Sequence, residues 1–112
     1  MFKISVLPGD EVLETISKDL KQRNIIEGCI VSVIGAVSEC RLSTMSKKDA
    51  KKDRITTYKE PLELSGTGEI HHGIPHIHTV AGREGNKAVF GHLHYALVHD
   101  WFVHVYVIPS SD

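Results

Sequence analysis

The stretch GIPHIHTVAGREGNKAVFGHLH, residues 73–94, carries one His-x-His pattern on each side of a polar segment containing Gly85, and all eight histidines of the chain fall between His71 and His104. In an extended strand residues i and i+2 point to the same face, about 6.6–6.8 Å apart. His76 therefore shares a face with His78, and His92 with His94. A hairpin centred on Gly85 pairs residues whose numbers sum to 170, which sets His78 opposite His92 and His76 opposite His94. Directly opposed side chains lie about 4.5–5.5 Å apart at Cβ, so three of these four imidazoles could reach a common ion.

Neutral imidazole suits zinc, copper, nickel and iron, and three histidines with one open position are the usual form of a zinc site that is more than structural. Four protonated histidines packed this closely would repel one another, so the cluster implies a metal, a lowered pKa or an anionic small ligand. His76, His78, His92 and His94 are the expected metal ligands, and a divalent, zinc-like metal is the expected cofactor. The competing reading is a polar, solvent-facing hairpin. The other histidines differ. His71 and His72 are adjacent and would point to opposite faces if extended, which favours a loop pair; His99 beside Asp100 marks a turn, and His104 on a largely apolar face reads as a core or interface histidine.

Strands must position these residues. FKISVL is a first strand closed by Pro8-Gly9. Asp10 is an expected N-cap, and Val12, Leu13, Ile16 and Leu20 recur at helical spacing, which predicts an amphipathic helix over residues 10–23. From Cys29 to Val37 the chain is apolar at both parities, as in a strand covered on both sides. RLSTM continues the sheet after a bend. KKDAKKDR, residues 47–54, reads as an exposed hairpin loop. Two more strands lie around Pro61, with Gly66 and Gly68 as bulge or turn positions, and WFVHVYVIP ends the sheet with apolar residues on both faces.

These elements make a sheet of about six to seven strands with one principal helix. One helix of about four turns covers only part of one face of such a sheet. The economical cover for the rest is another copy of the same chain.

A chain of 112 residues fits one domain, 1–112, with 41% hydrophobic and 24% charged residues. A net charge of −1 gives no global attraction to nucleic acid or to an anionic membrane. No segment approaches the roughly 18 apolar residues of a membrane span, and the cytoplasm is the expected location. Cys29 and Cys40 have no C-x-x-C spacing, and Cys29, inside an apolar run, reads as a buried inert thiol.

With LPGDEV before a helix, then IIEGCIVSVIGAV, EPLELSGTG, PHIHTV and GHL, the sequence resembles the PPC domain, the plants and prokaryotes conserved domain, over nearly its whole length. The resemblance implies an α+β fold, an antiparallel β-sheet of about six to seven strands with one principal α-helix, assembled as a homotrimer. It also implies that His76, His78 and His92 match the family's clustered histidines, a divalent-metal site near the subunit interface, and that Glu60 and Gly66 match its conserved Glu and Gly. His94 has no counterpart in that pattern, and Phe90 replaces the first glycine of the usual Gly-Gly-His-Leu. The Arg-Gly-Arg core of the plant members' AT-hook is missing.

Three functions compete. The chain could be a regulatory trimer binding a metal or small ligand. It could be a zinc enzyme using Glu60 or Glu63 as general base. Or it could associate with DNA through the KKDAKKDR loops repeated around a trimer.

Overall fold

The helix α1, Val12–Gln22, begins where the sequence asks for it but with a different cap. The carboxylate of Glu11, not Asp10, accepts hydrogen bonds from the Leu13 and Glu14 amides at 3.1 and 2.8 Å. Its Oε2 also accepts from the Ala96 amide at 2.9 Å, tying the helix start to a distant strand. Val12, Ile16 and Leu20 are fully buried, and each such side chain contributes about 1.5–3 kcal/mol. Glu11→Ala removes a cap and leaves the Ala96 amide without its partner. Urea unfolding should show a loss of about 1–2 kcal/mol.

The structure, a computed structural model, describes residues 1–111. Eight strands accompany the helix: β1 Phe2–Val6, β2 Glu27–Val37, β3 Glu39–Ser46, β4 Asp49–Tyr58, β5 Leu62–His71, β6 Ile74–Arg83, β7 Lys87–Leu97 and β8 Val103–Pro109. They form one antiparallel sheet in the order β1-β8-β2-β5-β6-β7-β3-β4. The helix packs on β1 at one edge and also on β6 and β7, so the sheet must curl around it. The Gly9 amide donates to Val98 O at 2.9 Å and the Val98 amide to Asp10 O at 3.1 Å, which ties the β1–α1 turn to the end of β7. Among the described residues no helix is long and apolar enough to cross a membrane.

The sheet has one strand more than the expected six to seven, and the strand expected before Pro61 starts earlier than expected, inside the charged run. Most of KKDAKKDR lies within β4, an edge strand paired only with β3, rather than in a loop. An exposed edge invites pairing with other chains, and lysines there oppose it.

Both faces of β2 are apolar, for a reason periodicity misses. Pairing with β5 passes from Ile30↔Gly68 to Val33↔Gly66, an extra residue on β2. This bulge switches parity. Ile30, Val33 and Val37 enter the core, while Val31 and Ile34 stay 42% and 54% exposed on the outer face, away from the helix. Cys29 precedes the bulge, opposite Ile108 and Glu69, and is exposed, contrary to expectation. Cys40 is the buried cysteine, and burial pushes its thiol up to about 11.

The outer face carries an apolar row. Ile34 pairs with Ser65, Ser65 with Val80 and Val80 with Phe90. Ile34, Val80 and Phe90 are 54%, 39% and 56% exposed. Phe102 stacks on His104 beside this row, with ring centroids 4.3 Å apart. Ile34, Val80, Phe102 and His104 line an open groove of about 1500 Å³.

Candidate metal centre

The β6–β7 hairpin forms in the register that Gly85 predicts. Gly85 has φ +80 in the turn, and the ladder runs from Arg83↔Lys87 to His78↔His92. It stops there. His76 does not pair with His94: β7 carries an extra residue at His94, where its pairing with β3 jumps from Leu42↔Leu93 to Arg41↔Tyr95.

His76, His78 and His92 come together regardless, each offering a ring nitrogen within 4.8 Å of the others. Ring centroids are 5.1 Å apart for His76–His78, 4.6 Å for His76–His92 and 6.1 Å for His78–His92. His76 and His78 are exposed and His92 is half-buried, so the triad opens outward. His94 lies beside the triad rather than in it. Its Nε2 is 2.7 Å from Ser43 Oγ, and its ring centroid is 4.5 Å from that of His92.

Local structure holds the triad in place. The residues opposite it are Glu69 for His76, Thr67 for His78 and Ser43 for His92. The hydroxyl of Thr79, fully buried on β6 next to His78, donates to Ser65 O at 2.9 Å and locks β6 onto β5. Gly66 and Gly68, expected as bulge or turn positions, lie inside β5 opposite the bulge of β2 and let β6 approach closely. A Cβ on Gly68 would stand 2.2 Å from His76 O.

Burial lowers the His92 pKa below the ordinary imidazole range, and the neighbouring His94, His76 and His78 lower it further, against the weaker pull of Asp53. His92 is thus held neutral, as a metal ligand must be. In the unfolded chain it titrates near 6.5. The unfolded state therefore binds more protons just below that pH, and this contribution to stability is present above about 6.5 and lost as pH falls through the folded value. The urea midpoint of metal-free protein should drop between pH 7.5 and 5.5, and drop less in His92→Gln.

The carboxylates expected as general base are elsewhere. Glu60 forms a short ion pair with Arg83, which also lowers its pKa. Glu63 faces Gly82, four residues along β5 from Thr67, or about 13 Å at strand spacing. No carboxylate joins the triad among the described residues. His99 Nδ1 lies 3.1 Å from Asp100 Oδ1 in the turn before β8, as expected.

A second group went unseen in the sequence: Glu27, His71 and His72 also bring three ligand atoms within 4.8 Å. The available signal was the His72-Gly73 dipeptide, a turn that pairs residues summing to 145 and sets Glu69 opposite His76. What no local pattern could supply was Glu27, which is 44 residues from His71.

The Plants and Prokaryotes Conserved (PCC) domain matches residues 1–111. No curated protein matches the chain. Among solved structures it is similar to a metal-containing protein from Archaeoglobus fulgidus, with 30% identity and a TM-score of 0.76 over 97% of this chain and 79% of that one. A proposed DNA-binding protein from Ralstonia eutropha shares the fold at 22% identity and a TM-score of 0.84, over 98% of this chain and 78% of that one. A plant- and prokaryote-conserved (PPC) protein from Pyrococcus horikoshii shares it at 20% identity and a TM-score of 0.80, over 99% and 79%.

Proposed function

Because the chain belongs to the Plants and Prokaryotes Conserved (PCC) domain family, we propose that it is a self-associating, cytoplasmic metal-binding module whose His76, His78 and His92 hold one divalent, zinc-like cation. The observation that carries this reading is the convergence of three imidazole nitrogens within 4.8 Å on a rigid hairpin. The metal-containing relative from Archaeoglobus fulgidus supports it. Three nitrogen donors leave one position of a tetrahedral ion open. A water molecule or a small anionic ligand would take that position. His94 stands aside, hydrogen-bonded to Ser43, as a reserve donor.

Elemental analysis of protein purified without a histidine tag tests the reading. Wild type should carry one more zinc per chain than His92→Ala. Equal zinc in the two, with zinc in excess, would sink it.

Self-association as a homotrimer rests on the outer face. Ile34, Val80 and Phe102 line one groove and Phe90 is the cross-strand partner of Val80, an exposed apolar set that one helix, on the other side, cannot cover. Light scattering should give three times the chain mass, and Ile34→Glu with Phe90→Glu should return it to one. A monomeric wild type would end the trimer proposal.

A second reading, association with DNA, is favoured by the exposed Lys47, Lys48, Lys51, Lys52 and Arg54 at the β4 edge and by the proposed DNA-binding relative. Retention on duplex DNA that falls steeply with salt, and is lost on reversing these charges, would support it.

A further inference from the structure

We propose that Glu27, His71 and His72 form a second divalent-cation site, of two-histidine, one-carboxylate type, at the turn joining β5 to β6. It shares no ligand with the triad and does not rest on that reading. Glu27 and His71 are cross-strand partners on β2 and β5, with His71 Nδ1 3.1 Å from Glu27 Oε2. The His72 amide donates to Glu27 Oε1 at 3.3 Å, and its Nδ1 lies 4.0 Å from the same oxygen.

Neighbouring residues in a strand point to opposite faces, and the turn overrides this. His72 and Gly73 have φ +53 and +77 between the paired His71 and Ile74. Positive φ at both central residues is the two-residue type I′ hairpin. It swings the two imidazoles to one side, ring centroids 4.1 Å apart, over the same carboxylate. Gly73 pins the turn by donating to Ile26 O at 2.9 Å.

The donors suit a first-row divalent ion such as iron(II), cobalt(II), nickel(II) or zinc. The Glu27 side chain is only 23% exposed, while those of His71 and His72 are 73% and 77% exposed. The carboxylate is thus an anchored base and the imidazoles a movable rim, with the remaining coordination positions facing solvent. His76 lies one cross-strand row away, about 7 Å along the strands. A cation here would clip the β5–β6 turn to the start of β2.

The test is cobalt(II) titration, followed by its visible d–d absorption, of a full-length protein whose triad has been removed by His78→Ala with His92→Ala. We expect one cobalt(II) per chain. Adding Glu27→Gln, His71→Ala or His72→Asn should weaken it at least about tenfold. His72→Asn keeps a residue that tolerates the turn's backbone while deleting a donor, so it separates ligation from folding, with circular dichroism confirming the fold. No cobalt(II) spectrum in the triad-deleted protein, or unchanged affinity in His72→Asn, overturns the proposal.

Discussion

Replacing His78 by alanine should remove one bound metal per chain and leave the protein folded. His78 is exposed, it faces outward from the sheet, and its main-chain pairing with Thr67 and His92 does not involve the ring. Truncating such a surface side chain changes stability by roughly 0.5 kcal/mol or less. The effect on binding is of another order. Two imidazoles remain, one fewer than the protein ligands of the simplest open zinc site, so affinity should fall more than about 100-fold.

The loss reads out as stability too. A ligand present at about 100 times its Kd stabilises the folded state by roughly 2.7 kcal/mol. Wild type should therefore gain several degrees in thermal midpoint from zinc at such a concentration, and His78→Ala should lose most of that gain. His94→Ala should keep it, because His94 stands outside the triad and engages Ser43. An identical zinc response in wild type and His78→Ala would show that the three rings are neighbours without being ligands.

That triad was legible in the sequence because everything it needs is local. Two His-x-His pairs, the strand period and one glycine turn fix which imidazoles face each other, and His78↔His92 follows from arithmetic alone. His76↔His94 failed because residues summing to one number stay opposed only in a regular ladder, and β7 carries an extra residue at His94. The helix was legible for the same local reason, though its cap was not. Glu11 replaces Asp10 because its longer side chain also reaches the Ala96 amide, 85 residues away. The apolar run misplaced Cys29 because a bulge between Ile30 and Val33 spreads the apolar residues of β2 over both parities, although only one of its faces enters the core. Charge misplaced residues 49–54, since a lysine-rich run suits an edge strand as well as a loop. Glu27 was invisible because only the pairing of β2 with β5 brings it to His71.

Gly68→Ala should couple fold and site more tightly than any ligand substitution. At an unstrained position such a change usually helps by about 0.4–1 kcal/mol, by restricting the unfolded chain. Here the added Cβ would stand 2.2 Å from His76 O and 3.0 Å from Ile77 Cα, both main-chain atoms of β6. A backbone cannot rotate aside as a side-chain tip can. Strand β6 must move, against the buried Ile77 beside it and the Thr79 hydroxyl bonded to Ser65 O. Overpacking of this kind costs about 1–3 kcal/mol, and the upper end is expected because the obstruction is main chain.

The displaced carbonyl belongs to His76 itself, so the same movement misplaces a ligand. A site must hold its donors within about 0.5 Å, and a shift sufficient to relieve the contact exceeds that. Urea unfolding of Gly68→Ala should show a loss of about 2–3 kcal/mol, and zinc affinity should fall at least about tenfold although no donor atom is removed. Gly85→Ala is the contrast. Its φ of +80 strains an alanine, but nothing lies within 4 Å of the new Cβ. It should cost about 1–2 kcal/mol and leave zinc affinity unchanged. If Gly68→Ala lost stability yet bound zinc like wild type, the close approach of β5 and β6 would serve the sheet alone, and the triad would owe its geometry to the β6–β7 hairpin.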